Sequence, residues 1–93
     1  MQRKFDIYDD PGHGWLKVPV SLLGRLGIAG KITSYSYLRG KFAYLEEDCD
    51  ARTFLEAYRA KFDIDPKFSF HPSNKRSKIR SYKSFDPKFL VDC

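Results

Sequence analysis

The chain has 93 residues, 42% hydrophobic and 16% aromatic, which is enough for one modest core and too apolar for a disordered segment. No apolar run approaches the roughly 20 residues that cross a bilayer, and no secretory leader is expected. The net charge of +5 is uneven: residues 1–65 carry ten Lys/Arg and ten Asp/Glu, whereas residues 66–93 carry seven Lys/Arg against Asp86 and Asp92.

A single domain, residues 1–93, is expected. The two cysteines, Cys49 and Cys93, make neither a disulfide framework nor a zinc spacing, so a reducing cytoplasm is the expected location. Lys4–Tyr8 alternates weakly and is expected to be a strand with Phe5 and Ile7 inward. Asp9-Asp10-Pro11-Gly12 is a turn by composition, which would make Leu16-Lys17-Val18 an antiparallel partner of the first strand. Pro19 suits the first turn of a helix, where its missing N–H costs nothing. Leu22, Leu23 and Leu26 share a stripe, and Gly27-Ile28 has the form of a Schellman ending, so a short helix is expected over Pro19–Leu26 despite Gly24.

The stretch Lys31–Asp50 reads as a β-hairpin running into a helix cap. Ile32–Leu38 and Phe42–Glu47 are rich in β-branched and aromatic residues, with Arg39-Gly40 between them as the turn. A two-residue loop there pairs Tyr37 with Phe42 and Tyr35 with Tyr44 on one face; Ser36 then meets Ala43, and Ser34 meets Leu45, on the other. A longer bulged loop is the alternative. The aromatic face is either a second core layer, the commoner fate of tyrosines, or a stacking surface. Asp48 or Asp50 is expected to cap the next helix. Its apolar stripe is Ala51, Phe54, Leu55, Tyr58 and Phe62, and it should stop near Phe62–Asp63, before Asp65-Pro66.

Lys67–His71 alternates as a strand with Phe68 and Phe70 on one face, and Pro72-Ser73-Asn74 is a turn. Lys78–Phe85 is expected to be a further strand, with Lys78, Arg80 and Tyr82 on one face and Ile79, Ser81 and Phe85 on the other. Asp86-Pro87 ends it, and Phe89-Leu90-Val91 is expected to tuck back onto the core. The fold class is therefore α+β: a mainly antiparallel sheet with a central hairpin, packed against one main helix and one short helix.

Few residues suggest chemistry. His13 lies beside two carboxylates, but the other histidine, His71, is far along the chain, so local packing of His13 and Trp15 is preferred to catalysis or metal binding. Glu46, Glu47, Asp48 and Asp50 lack the EF-hand spacing and are read as helix capping and a solvated edge. Cys49 has no cationic neighbour in sequence and is not read as a nucleophile. No catalytic residue, metal or cofactor is expected.

The basic stretch Asn74–Lys83 is the main candidate contact. Lys75, Arg76, Lys78, Arg80 and Lys83 can neutralise phosphates, and Tyr82 adds stacking capacity. An acidic protein patch, or solvent alone, would suit the same residues. His13, Trp15, Tyr35, Tyr37 and Tyr44 are secondary candidates.

The runs Asp10–Pro19, Leu26-Gly27-Ile28, Tyr35-Ser36-Tyr37, Ala43–Ala51, Asn74-Lys75 and Ile79-Arg80-Ser81-Tyr82 resemble small accessory proteins carried by bacteriophages, plasmids and integrating elements. The likeness covers nearly the whole chain and brings no catalytic motif. It implies a bacterial cytoplasm and a binding function. The expected partner is a host protein or ribonucleoprotein complex, inhibited as an anti-CRISPR protein inhibits its target. The alternative is a small regulator that binds DNA or RNA through the basic segment.

Overall fold

The computed structural model of the chain describes residues 3–86. Six strands form one sheet: β1 (Lys4–Asp9), β2 (Gly14–Pro19), β3 (Tyr37–Arg39), β4 (Phe42–Glu46), β5 (Lys67–Pro72) and β6 (Lys83–Ser84), in the spatial order β5-β1-β2-β4-β3-β6. Neighbours are antiparallel except β1 and β5, which run parallel. The long connection that a parallel pair requires includes the main helix α2 (Asp50–Phe62); the short helix α1 (Val20–Arg25) follows β2. The α+β class, the mainly antiparallel sheet and the two helices are as the sequence predicts.

One face of the sheet builds the main core. Phe5, Leu16, Val18, Ala43 and Leu45 project from β1, β2 and β4 against Phe54 and Tyr58 of α2 and Leu22 and Leu23 of α1. Phe5 meets Phe54 and Tyr58 edge-on, with centroids 5.2 and 5.8 Å apart. Phe54 and Tyr58 stand one turn apart and are fully buried, whereas Leu55 is half-buried, so the contact stripe is centred one residue before Leu55. Helix α1 ends in the expected Schellman motif: Gly27 has φ 72°, Ile28 N–H donates to the Leu23 carbonyl and Gly27 N–H to the Gly24 carbonyl, both at 3.0 Å.

The hairpin differs from expectation in its turn. Tyr37 pairs with Tyr44, Leu38 with Ala43 and Arg39 with Phe42, so the loop is Gly40-Lys41. Gly40 takes the positive φ (60°) at the first loop position, where a type II′ turn wants glycine. The slip moves each partner by two residues, so the side chains of β3 and β4 keep their expected faces. Ile32–Ser36 is not strand. Instead, the carboxylate of Asp50, in the first turn of α2, accepts from Thr33 N–H, Thr33 Oγ1 (2.7 Å) and Ser36 Oγ. Neither Asp48 nor Asp50 caps α2 through its side chain; Cys49 is the capping position, and Glu46 accepts from the Asp48 and Cys49 N–H groups at 2.7 and 3.2 Å.

The C-terminal part departs further. The expected strand Lys78–Phe85 is a 3-10 turn, Lys78–Ser81, followed by the two-residue β6. In that turn Ile79 and Tyr82 share a face and pack on the sheet, and Phe85 crosses to the main core. Phe68 packs beside Phe5, while Phe70, on the edge strand, is 65% exposed. The expected packing of Phe89-Leu90-Val91 lies outside the described residues.

Candidate functional site

The second face of the sheet carries the aromatic side chains that alternate with the core. Trp15, Tyr44 and Ile79 are buried there, with Tyr8, Tyr37 and Tyr82 partly buried around them. Tyr44 is 8% and Trp15 2% exposed, so this face is a second core layer roofed by the turn that contains Lys78–Ser81. Tyr44 and Tyr82 lie 5.1 Å apart, and Trp15 meets Tyr37 edge-on at 6.3 Å. Burial raises the Tyr44 and Tyr8 phenols above their ordinary acidity constants, with the neighbouring Tyr82 adding to both.

Asp10 fixes the roof in place. Its carboxylate accepts from Gly12 and His13 N–H, both at 3.0 Å, which closes the β1–β2 turn. The same carboxylate accepts from Ser77 N–H at 2.9 Å, Arg80 Nε at 2.7 Å and Arg80 Nη2 at 2.9 Å. The Asp10 side chain is 1% exposed and that of Arg80 26% exposed. A forked guanidinium and three N–H donors hold the Asp10 carboxyl well below the usual carboxylate range, the Arg80 bonds contributing most. Arg80 also lies 5.5 Å from the centre of the Trp15 ring. Ser77 Oγ accepts from Ile79 N–H at 3.1 Å and caps the turn.

The candidate contact residues therefore separate. Lys75, Arg76, Lys78 and Lys83 are exposed, Tyr82 is half-buried, and Arg80 is bound to Asp10. Lys17 and Arg39 join this surface from β2 and β3, which linear reading of the basic stretch could not show. Arg39 lies 5.0 Å from the Tyr82 ring centre, and Lys17 lines a cavity of about 220 Å³ with Lys78, Ser77 and the rings of Tyr8, Tyr44 and Tyr82. Arg76 and Arg80 border a second cavity, of about 320 Å³, at the Pro11-Gly12 turn.

On the other side of the turn, Arg80 lines a cavity of about 450 Å³ with His13, Trp15, Tyr35, Tyr37, Glu46, Asp48 and Cys49. Four of the five secondary candidates thus converge; Tyr44 faces the smaller, basic cavity instead. Among the described residues no group of three or more His, Cys, Asp or Glu side chains is placed to hold a metal ion. Among them, too, no helix is long and apolar enough to cross a membrane. No protein-family model matches the chain, and neither curated proteins nor solved structures include a significant match.

Proposed function

We propose that this chain is a non-catalytic binding protein that docks on a host protein or nucleoprotein complex and inhibits it. The contact is the exposed cations of Lys75–Lys83 together with Lys17 and Arg39. The observation that carries this reading is the pre-organisation of the basic segment. Asp10 ties Ser77 and Arg80 to the β1–β2 turn, so Arg76 and Lys78 stand on a fixed support beside a folded sheet. A surface ordered before binding loses less conformational entropy on docking. The resemblance to mobile-element accessory proteins supplies the setting, with a host defence complex such as a CRISPR effector as the target.

Direct DNA or RNA binding is the second reading, and the presence of both Lys17 and Lys78 in the lining of one cavity favours it, since cations there suit a phosphate. The burial of Tyr44 weighs against base stacking as its basis. The test captures partners from bacterial host extract on the immobilised chain, with and without nuclease, and repeats it with Arg76→Ala/Lys78→Ala. Docking on a protein surface gives capture that survives nuclease and is lost in the folded double variant. Capture lost on nuclease treatment, with an oligonucleotide affinity falling at a log–log salt slope of roughly −0.7 to −0.9 per neutralised phosphate, selects the second reading. Full capture by the double variant overturns both.

A further inference from the structure

The cavity on the far side of Arg80 has the opposite chemistry to the basic surface. Its walls are the rings of Trp15, Tyr35 and Tyr37, and its rim carries the carboxylates of Glu46 and Asp48. Among the described residues the one Lys or Arg in its lining, Arg80, is paired with Asp10 at 2.7 and 2.9 Å, which leaves Glu46 and Asp48 as the acidic side chains beside His13. Asp48 is exposed, and Tyr35 is 75% exposed at the mouth. A volume of about 450 Å³ lies within the range of small-ligand sites and exceeds what one side chain needs. Two accessible tyrosine rings beside an exposed carboxylate form an arrangement that draws a cation out of water. Tyr35, exposed at the mouth, and half-buried Tyr37 offer ring surface, Trp15 lies buried behind them, and the exposed Asp48 carboxylate supplies charge where a side-chain head would emerge. The protein already uses this pairing internally, in Arg80 against Trp15 and Arg39 against Tyr82.

We propose that this cavity is a recognition site for an arginine or lysine side chain of a peptide segment, separate from the basic surface. It stands whether or not that surface takes phosphate. A partner that used both would present a basic residue next to an acidic or phosphate-bearing patch, and the two sites would set its orientation through opposite charges.

Trp15 is the only tryptophan in the chain, so its emission reports on this cavity. The test titrates the intact chain with acetyl-Gly-Arg-Gly-amide, the lysine peptide, and the citrulline peptide, which keeps the shape of arginine without its charge. The expected result is a saturable change in emission with the arginine and lysine peptides, and about five- to tenfold weaker binding of citrulline. Asp48→Asn is expected to weaken the arginine peptide about threefold, as is Tyr35→Ala, each with unchanged melting temperature. Equal affinity for citrulline and arginine, or no saturable response up to about 20 mM peptide, overturns the proposal. The peptide comparison uses the unmodified chain, so it decides the matter even if a variant fails to fold. Phosphate-dependent binding at Lys17 and Lys78 is read separately and does not bear on it.

Discussion

The helix-covered face of the sheet is closed by apolar area, whereas the opposite face is closed by a short segment held at the Asp10 carboxylate and, at its end, by β6 on β3. On the first face, Phe5, Leu16, Val18, Phe54 and Tyr58 are almost completely removed from water by two helices. On the second, Trp15, Tyr44 and Ile79 are covered by a segment held by the Asp10 cluster and, beyond it, by β6 and Phe85. Apolar burial is spread over many atoms and degrades gradually; a forked ion pair is local and fails as a unit. The three cavities described above lie around the second closure.

The largest loss of stability is expected on the helix side. Phe54→Ala is expected to cost about 3–5 kcal/mol, measured by urea unfolding, because its ring is fully buried against Phe5 and Tyr58. Leu55→Ala, at a half-buried position, is expected to cost about 1 kcal/mol. Equal losses at the two positions would show that the helix faces the sheet through Leu55 instead.

Arg80→Ala removes the fork from the second face while leaving the helices in place. The expected outcome is retained helical circular dichroism, a red shift of Trp15 emission, and faster proteolysis at Lys75, Arg76 and Lys78. If helix signal and Trp15 environment are lost in one transition with the same midpoint shift as Phe54→Ala, the two faces are one cooperative unit.

Acid sharpens the contrast. The Asp10 carboxyl is held below its unfolded value, so its contribution to stability is complete above the unfolded acidity constant of about 3.9 and declines as pH falls below it. Asp10→Asn abolishes that contribution at every pH. The stability gap between the two proteins, from urea midpoints, should therefore be constant from pH 7 to about pH 5 and narrow by pH 3. A gap that widens on acidification would mean that Asp10 is not held in its ionised form by the fold.

What was legible in the sequence follows the same division. Period-two and period-3.6 patterns mark β1, β2, β4 and the stripe of α2, because burial against a layer imposes those periods on neighbouring residues. The Gly27-Ile28 ending was readable because its hydrogen bonds are local. The Asp10-Pro11-Gly12 turn was readable too, but its long-range partners were not: Asp10 meets Ser77 and Arg80 far along the chain, and no local pattern encodes such a contact. The same limit applies to Asp50, a natural capping residue by position, whose carboxylate serves Thr33 and Ser36 instead. Lys78–Phe85 alternates well enough to suggest a strand, yet the cap at Ser77 and the pull of Asp10 on Arg80 wind its first half into a turn. For the candidate sites, the basic stretch and the aromatic residues were visible in sequence. Their separation into a basic surface and an acidic, aromatic cavity was not, because β2 and β3 bring Lys17 and Arg39 to one side and the Glu46–Cys49 turn brings carboxylates to the other.

The wide sequence separation of the Asp10 contacts also orders events in time. A ribosome delivers Asp10 and Trp15 long before Ser77 and Arg80, and β1 waits equally for β5 as its parallel neighbour. Closing so long a loop carries most of its entropic cost before any contact rewards it, so the antiparallel centre is expected to form first on the nascent chain. Until the last segment emerges, the tryptophan face and one edge of β1 stay open to other chains, which makes this the interval when the protein is most prone to mispairing.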